Sequence, residues 1–278
     1  MYYIPIIGAI SAGKSTFLNA FLGINILETG LTTTTKFVCL IKNSQNISFY
    51  HVIPKNEDNK ISLIKEGNEI KSETQIKQKI EEINERLTKK QGTKDDIFYV
   101  LEIPIKNIDN SLLLESTYFM DVPGLDEEGS EYIQNIFSII NLDDILFEII
   151  IFDSTNIGSD TILNILKKLK SKNVLKTKNN LFILNKIDQV TKGGENIETI
   201  FKKYFYETFE DEKKNKNDSA INLNISENYF IPMNSLLYMA ETKLEEKFDS
   251  LLIFEIYNYL DNYKDKFSSF FEYIKKKN

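Results

Sequence analysis

"IIGAISAGKSTFLNAFLG", residues 6–23, sets one glycine at position 8 and another at 13, followed at once by Lys14 and Ser15. The spacing satisfies G-x-x-x-x-G-K-[ST], the pattern of a loop that cradles phosphate. Glycines let such a backbone curl until its N–H groups converge on phosphate oxygens at a helix N-terminus. The expected phosphate-contacting run is Gly8, Ala9, Ile10, Ser11, Ala12, Gly13, Lys14, Ser15 and Thr16. Within it Lys14 reaches the β- and γ-phosphates, and the Ser15 hydroxyl joins a Mg²⁺ shell. A chance glycine turn beside a surface lysine would need no particular neighbours. Here residues 2–7 read as a buried strand and residues 15–22 as a helix, which is the context a phosphate loop requires.

Composition narrows what surrounds that loop. The chain has 278 residues, is 42% apolar, carries a formal net charge of −7 and holds 1 cysteine. It can bury a large core. The acidic balance argues against nucleic acid as a partner, because neutralising phosphates needs a basic surface. Cys39, inside the apolar run "FVCLI", reads as a buried structural thiol in a reducing compartment. Residues 2–10 lack the basic leader of a signal peptide. "ILFEIIIFD", residues 145–153, is interrupted by Glu148 and is too short to span a bilayer. The expectation is a cytoplasmic protein, with peripheral contact at a membrane left open.

Strand and helix patterns alternate along the chain. "KFVCLIK" (36–42) and "NISFYHVI" (46–53) are strand-like, and "PKNEDNK" reads as a polar turn. Residues 72–87 read as a helix, with Ser72 and Gln75 forming a capping box and Ile76, Ile80, Ile83 and Leu87 on one stripe. "IFYVLEIPI" and "STYFMD" return to strand character. Ser159 is expected to cap a further helix, "LFILNKID" to form a short buried strand, and residues 210–219 a solvated loop. This alternation predicts an α/β fold with a central, mostly parallel sheet flanked by helices. Pro5 sits badly in that picture, since it removes a ladder donor from the first strand.

The polar end of "NLFILNKID" decides the base. An Asp188 carboxylate can accept from the guanine N1–H and N2–H₂ together, and adenine offers no matching pair of donors. Lys186 would pack its stem along the base, and Asn185 would brace the loop. Between these motifs lies "YFMDVPGL". Asp121 at its strand end can hold Mg²⁺ through water, and the Gly124 N–H can bond the γ-phosphate. In the order phosphate loop, D-x-x-G, N-K-x-D, the three imply a site for GTP or GDP with Mg²⁺. Residues 32–35 read "TTTT". One threonine there is needed to join the Mg²⁺ shell and sense the γ-phosphate, and inspection does not choose among the four.

With these residues in place the chain resembles the dynamin-like large GTPases. The resemblance rests on Ser11 two residues before the second glycine, on "FLNAFLG", on "GLTTTTKFVCLI", and on the long insert before D-x-x-G. It extends to "IPMNSL", which places Asn234 and Ser235 beside the base. Aligning the threonine run by its glycine and following strand makes Thr33 the matching switch residue, a ligand of Mg²⁺, with Thr34 next. The resemblance implies a P-loop GTPase domain over residues 1–240 and a helical C-terminal extension over 241–278. It also implies catalysis in which Ser11 and a monovalent cation, K⁺ or Na⁺, supply the positive charge of an arginine finger. Lys14 and Thr33 complete the implied catalytic set, within a nucleotide-dependent homodimer. The family's N-terminal bundle helix, stalk and membrane-binding region have no counterpart in residues 1–278, so membrane remodelling is not expected of this stretch alone.

Two departures bear on turnover. Leu125 stands where Ras-type enzymes place a water-orienting glutamine, and Ile10 stands where dynamins proper often carry glutamine. Two function classes follow: a GTPase stimulated by dimerisation, or a nucleotide-dependent binding module with negligible hydrolysis. His51, the lone histidine, reads as structural or surface, and Asp153 as a strand-end cap, with a contact at the dimer interface as the alternative. From Ile256 to Ile274 apolar residues recur at alternating spacings of four and three, and Leu244, Phe248, Leu251 and Leu252 extend the stripe backwards. That is a heptad seam expected to pack on the domain, a second copy or a helical partner.

Overall fold

The computed structural model describes residues 1–29, 35–57, 60–89, 98–105, 116–124, 140, 144–156, 181–186 and 230–232. The expectations for Thr33, Leu125, the helix from Ser159, Asp188, the loop 210–219, Asn234, Ser235 and the division at residue 240 with its helical seam lie outside these residues.

Among the described residues nine strands form one sheet, in the order β4-β3-β5-β2-β6-β1-β7-β8-β9. The first strand, β1 (Tyr2–Gly8), lies between β6 (Thr117–Asp121) and β7 (Ile149–Asp153), parallel to both. Beyond β7 come β8 (Leu181–Asn185) and β9 (Phe230–Pro232), also parallel. On the other side β2 (Val38–Asn43) runs antiparallel to β6 and parallel to β5 (Phe98–Ile103). Next to β5 is the antiparallel hairpin of β3 (Ser48–Glu57) and β4 (Lys60–Ile70). The sheet is therefore parallel around the nucleotide motifs and mixed in the insert. Both faces of the central strands are buried, as expected when an inner sheet is covered on each side. Ile4, Ile6 and Phe119 fall in one apolar cluster, while Tyr3, Ile7, Tyr118 and Met120 fall in the other.

The first cluster takes in helix α1 (Lys14–Leu22), whose Phe17 and Phe21 rings stack at 5.2 Å, Phe21 meeting Phe119 edge-on at 6.0 Å. Each such fully buried side chain contributes about 1.5–3 kcal/mol. The helix ends at Gly23 (φ 68°), with Gly23 N–H donating to Ala20 O and Ile24 N–H to Asn19 O. Those paired bonds are a Schellman stop. Helix α2 (Glu73–Thr88) buries Ile76, Ile80 and Ile83 in the same cluster, with Leu87 partly buried against it. The expected capping box is not formed. Ser72 occupies the N-cap position with extended backbone, but its side chain makes no capping hydrogen bond.

Pro5 is accommodated by a slip in register. The chain preceding and entering β7 advances from Ile145 to Ile149 while β1 advances from Tyr3 to Ile6, and Pro5 lies within that interval. A proline without its N–H fits at such an irregularity. Cys39 is fully buried, as its apolar run suggests. His51 lies in the hairpin, 3.5 Å from Glu66 and packed at 5.1 Å on the Tyr99 ring, far in sequence from any motif.

Candidate functional site

The carboxyl ends of four parallel strands converge. β1 delivers the loop Ala9–Gly13, β6 delivers Asp121 to Gly124, β7 delivers Asp153, and β8 delivers Asn185 and Lys186. Open α/β sheets bind ligands at this kind of crevice.

The loop needs its glycines for different reasons. A Cβ on Gly8 would lie 2.6 Å from the Ile151 carbonyl oxygen of β7. Gly13 has φ 89°, a left-handed conformation, and a Cβ there would strike the Asn185 side-chain amide. Ser11 is also left-handed, at φ 59°. A non-glycine residue in that region stores about 1–3 kcal/mol and is kept where the surroundings enforce it. Helix α1 starts with Gly13 as N-cap, without a side-chain cap and without an acidic residue in its first turn. A helix end without a capping side chain of its own or a first-turn acid is suited to an anion. Ala9, Ile10 and Ser11 are at least partly exposed, Ala12 is buried, and Thr16 is half-buried in the helix's first turn. Lys14, 7% exposed, donates from Nζ to Gly8 O at 3.3 Å and Ala9 O at 3.0 Å. Its ammonium lies against its own loop.

Three oxygens gather beside this lysine. Ser15 Oγ donates to Asp121 Oδ2 at 2.8 Å, Thr35 Oγ1 donates to the same atom at 3.3 Å, and the two hydroxyls lie 3.0 Å apart. Asp121 is buried, and its Oδ1 has no hydrogen-bond partner among the described residues. Burial pushes its carboxyl above the ordinary aspartate range, opposed by the Lys14 charge and by the Ser15 and Thr35 hydroxyls. A buried carboxylate with an unused oxygen beside two hydroxyls fits a hard cation that keeps water in its shell, as Mg²⁺ does. Among the described residues no cluster of His, Cys, Asp or Glu offers a competing metal site.

Gly124 packs directly on the phosphate loop. A Cβ on it would lie 2.9 Å from both the backbone nitrogen and Cα of Ile10. From the opposite side, the buried Asn185 donates through Nδ2 to Ala12 O at 2.9 Å, tying the end of β8 to the loop. Lys186 follows in left-handed backbone, φ 62°, and its Nζ pairs with Asp153 Oδ2 at 2.7 Å. The other Asp153 oxygen caps the turn after β7, accepting from Thr155 N at 2.9 Å and Thr155 Oγ1 at 2.6 Å.

The placement brings Gly8 through Ser15, Asp121, Gly124, Asn185 and Lys186 to one end of the sheet. Sequence reasoning did not single out Thr35, Ser154 or Asn84. Asn84 Oδ1 accepts from Lys36 N–H at 3.1 Å, and its Nδ2 donates to Glu28 Oε2 at 2.6 Å. A polar residue four places after Ile80, on the buried face of α2, was the available signal.

Among the described residues no helix is long and apolar enough to cross a membrane. No curated protein matches the chain. Two chains from solved structures of an oligomerised bacterial dynamin pair share the fold; that pair is described as providing a mechanism for long-range sensing and tethering of membranes. One has a TM-score of 0.56 at 17% identity and covers 100% of this chain and 40% of its own length. The other has a TM-score of 0.50 at 16% identity, covering 99% and 47%. The present chain thus spans less than half the length of either. A family model described as the dynamin family matches residues 4–187, from β1 past the end of β8 and through every described element of the site. The chain belongs to the dynamin family and carries its GTPase domain.

Proposed function

We propose that this chain binds GTP with Mg²⁺ and hydrolyses it to GDP and phosphate, with hydrolysis stimulated when two GTPase domains pair. The observation that carries the reading is the docking of β8 on the phosphate loop through Asn185 and Ala12. It couples a guanine-type N-K-x-D segment to a phosphate-type loop within one hydrogen bond. In this reading the open N-terminus of α1 and the Gly8–Gly13 backbone receive the phosphates. Lys14 exchanges its two loop carbonyls for β- and γ-phosphate oxygens. Ser15, Asp121 and the family-matched Thr33 would hold the Mg²⁺ shell, directly or through water, with Thr35, which lies beside Ser15 and Asp121, a further hydroxyl for it. The ion would supply charge neutralisation where the leaving oxygen develops charge. Thr33, matched to the family's switch threonine, positions the attacking water through its backbone. Gly124 N–H bonds the γ-phosphate.

Ser11 acts where charge develops, helped by K⁺ or Na⁺. Lys186, Asp188, Asn234 and Ser235 surround the base. By likeness to the bacterial dynamin pair, association with a membrane surface belongs to the same reading. The seam over residues 244–274 is proposed to pack on the domain, a second copy or a helical partner. Truncation after Asp261 should then change oligomeric state or thermal midpoint while leaving nucleotide affinity intact.

The test is a competition titration with GTP and ATP on wild type, Lys14→Ala and Asp188→Asn. Wild type should prefer GTP, Lys14→Ala should lose both, and Asp188→Asn should move preference toward XTP. Losing such a paired donor match costs roughly 10⁴-fold in discrimination. Wild-type protein that takes ATP as tightly as GTP would overturn the reading. Tight GTP binding without turnover at any protein concentration would favour the binding-module alternative.

A further inference from the structure

The turn after β7 holds Lys186 at both ends of the residue. Asp153 Oδ2 takes the ammonium at 2.7 Å. Ser154 Oγ donates to the Lys186 backbone carbonyl at 2.7 Å. Ser154 is only 3% exposed, so that hydroxyl is a fixed part of the interior. Asp153 is itself fixed, because its second oxygen accepts two bonds from Thr155 and its Cα is register-paired with Asn185. Between the two contacts Lys186 adopts φ 62°, a backbone that a lysine does not take by preference. A four-carbon stem tethered at its tip and at its carbonyl has lost most of its rotamer freedom before any ligand arrives. Pre-payment of that ordering cost is how a site gains affinity without a new ligand contact.

We propose that Asp153 and Ser154 are positioning residues for guanine recognition: they lock Lys186 as one preformed wall of the base slot. This rests on the proposed guanine site and goes beyond it, by assigning selectivity for the base to a turn outside the nucleotide motifs. Asp153 also neutralises the lysine, so the stem is presented to the base as an apolar surface and not as a mobile cation. The phosphate loop is held by a different side-chain contact, Asn185 on Ala12.

The account separates base from phosphate. Affinities for GTP and for inorganic tripolyphosphate, each with Mg²⁺, are measured on wild type, Asp153→Asn, Ser154→Ala, Lys186→Ala and the Asp153→Asn/Lys186→Ala double variant. Asp153→Asn preserves the oxygen that caps Thr155 and so guards against misfolding, which a thermal melt checks. Losing one charged partner of a hydrogen bond of this kind corresponds to a fall in GTP affinity of roughly tenfold or more. Tripolyphosphate affinity should be unchanged. In the Lys186→Ala background Asp153→Asn should add nothing further, because Asp153 acts only through that lysine. Equal losses for GTP and tripolyphosphate, full additivity of the two substitutions, or normal GTP binding by Asp153→Asn would each overturn the assignment. Wild type that fails to prefer GTP over ATP would instead remove the guanine reading on which it stands.

Discussion

At the scale of single residues, the loop is held by close approaches that allow no side chain. Gly13 combines φ 89° with Asn185 lying where a Cβ would go. Gly13→Ala should therefore cost about 1–2 kcal/mol for the left-handed backbone. Displacing a buried amide from its carbonyl adds about 1–3 kcal/mol. A thermal melt and a GTP titration should both register the change, and unaltered GTP affinity would mean that Asn185 does not brace the loop. Asp153 makes a pH prediction. Burial pulls its carboxyl upward, but the hydrogen bonds from Lys186 and Thr155 prevail and hold it below the ordinary aspartate range. A carboxyl lowered on folding stabilises the fold fully above its unfolded pKa and loses that contribution as pH falls through the folded value. The stability gap between wild type and Asp153→Asn should hold from neutral pH down to the ordinary carboxylate range and close only in stronger acid. A gap that closed near neutral pH would contradict the assignment of the ion pair.

At the scale of elements, α2 belongs to the insert but reaches the site. Asn84 joins Glu28, at the end of the segment after α1, to Lys36, next to Thr35. Asn84→Ala would leave a part-buried backbone N–H and a carboxylate without this partner, a loss of about 1–3 kcal/mol. It should also raise the Mg²⁺ concentration needed to retain nucleotide, because Thr35 would lose its anchor. An unchanged Mg²⁺ dependence alongside a lowered melting point would reduce Asn84 to a packing role. The sequence pattern gave α2 its stripe of Ile76, Ile80, Ile83 and Leu87, yet Asn84 on the same face has no meaning until the chain segments it joins are known. The same limit applies to the four threonines. They carry identical chemistry, and only the fold brings Thr35 to Ser15 and Asp121. β4 escaped notice for a different reason. Among the described residues it is an edge strand, paired with β3, with Ile64 exposed and Gly67 at φ 73°, so it has no buried alternation to detect. Inner strands such as β1 and β8 are buried throughout most of their length, and their unbroken apolar runs mark them in the sequence.

At the scale of the whole molecule, a parallel half holds the nucleotide motifs, and a mixed insert, with β5 parallel to β2 and β3 and β4 antiparallel, extends the sheet past β2. The motifs were readable because each sits at the end of a parallel strand, where loop chemistry is fixed by what must be bound. Contacts between distant segments, such as Asp153 with Lys186, depend on strand order and had no local signature. The central claim is that this fold hydrolyses GTP with help from a second copy. Single-turnover hydrolysis of GTP is measured against protein concentration in K⁺ or Na⁺, then in a larger organic cation. The account predicts a rate that rises with protein concentration and falls when the small cation is withdrawn. A rate near zero and flat across concentration, with GTP bound throughout, would contradict it.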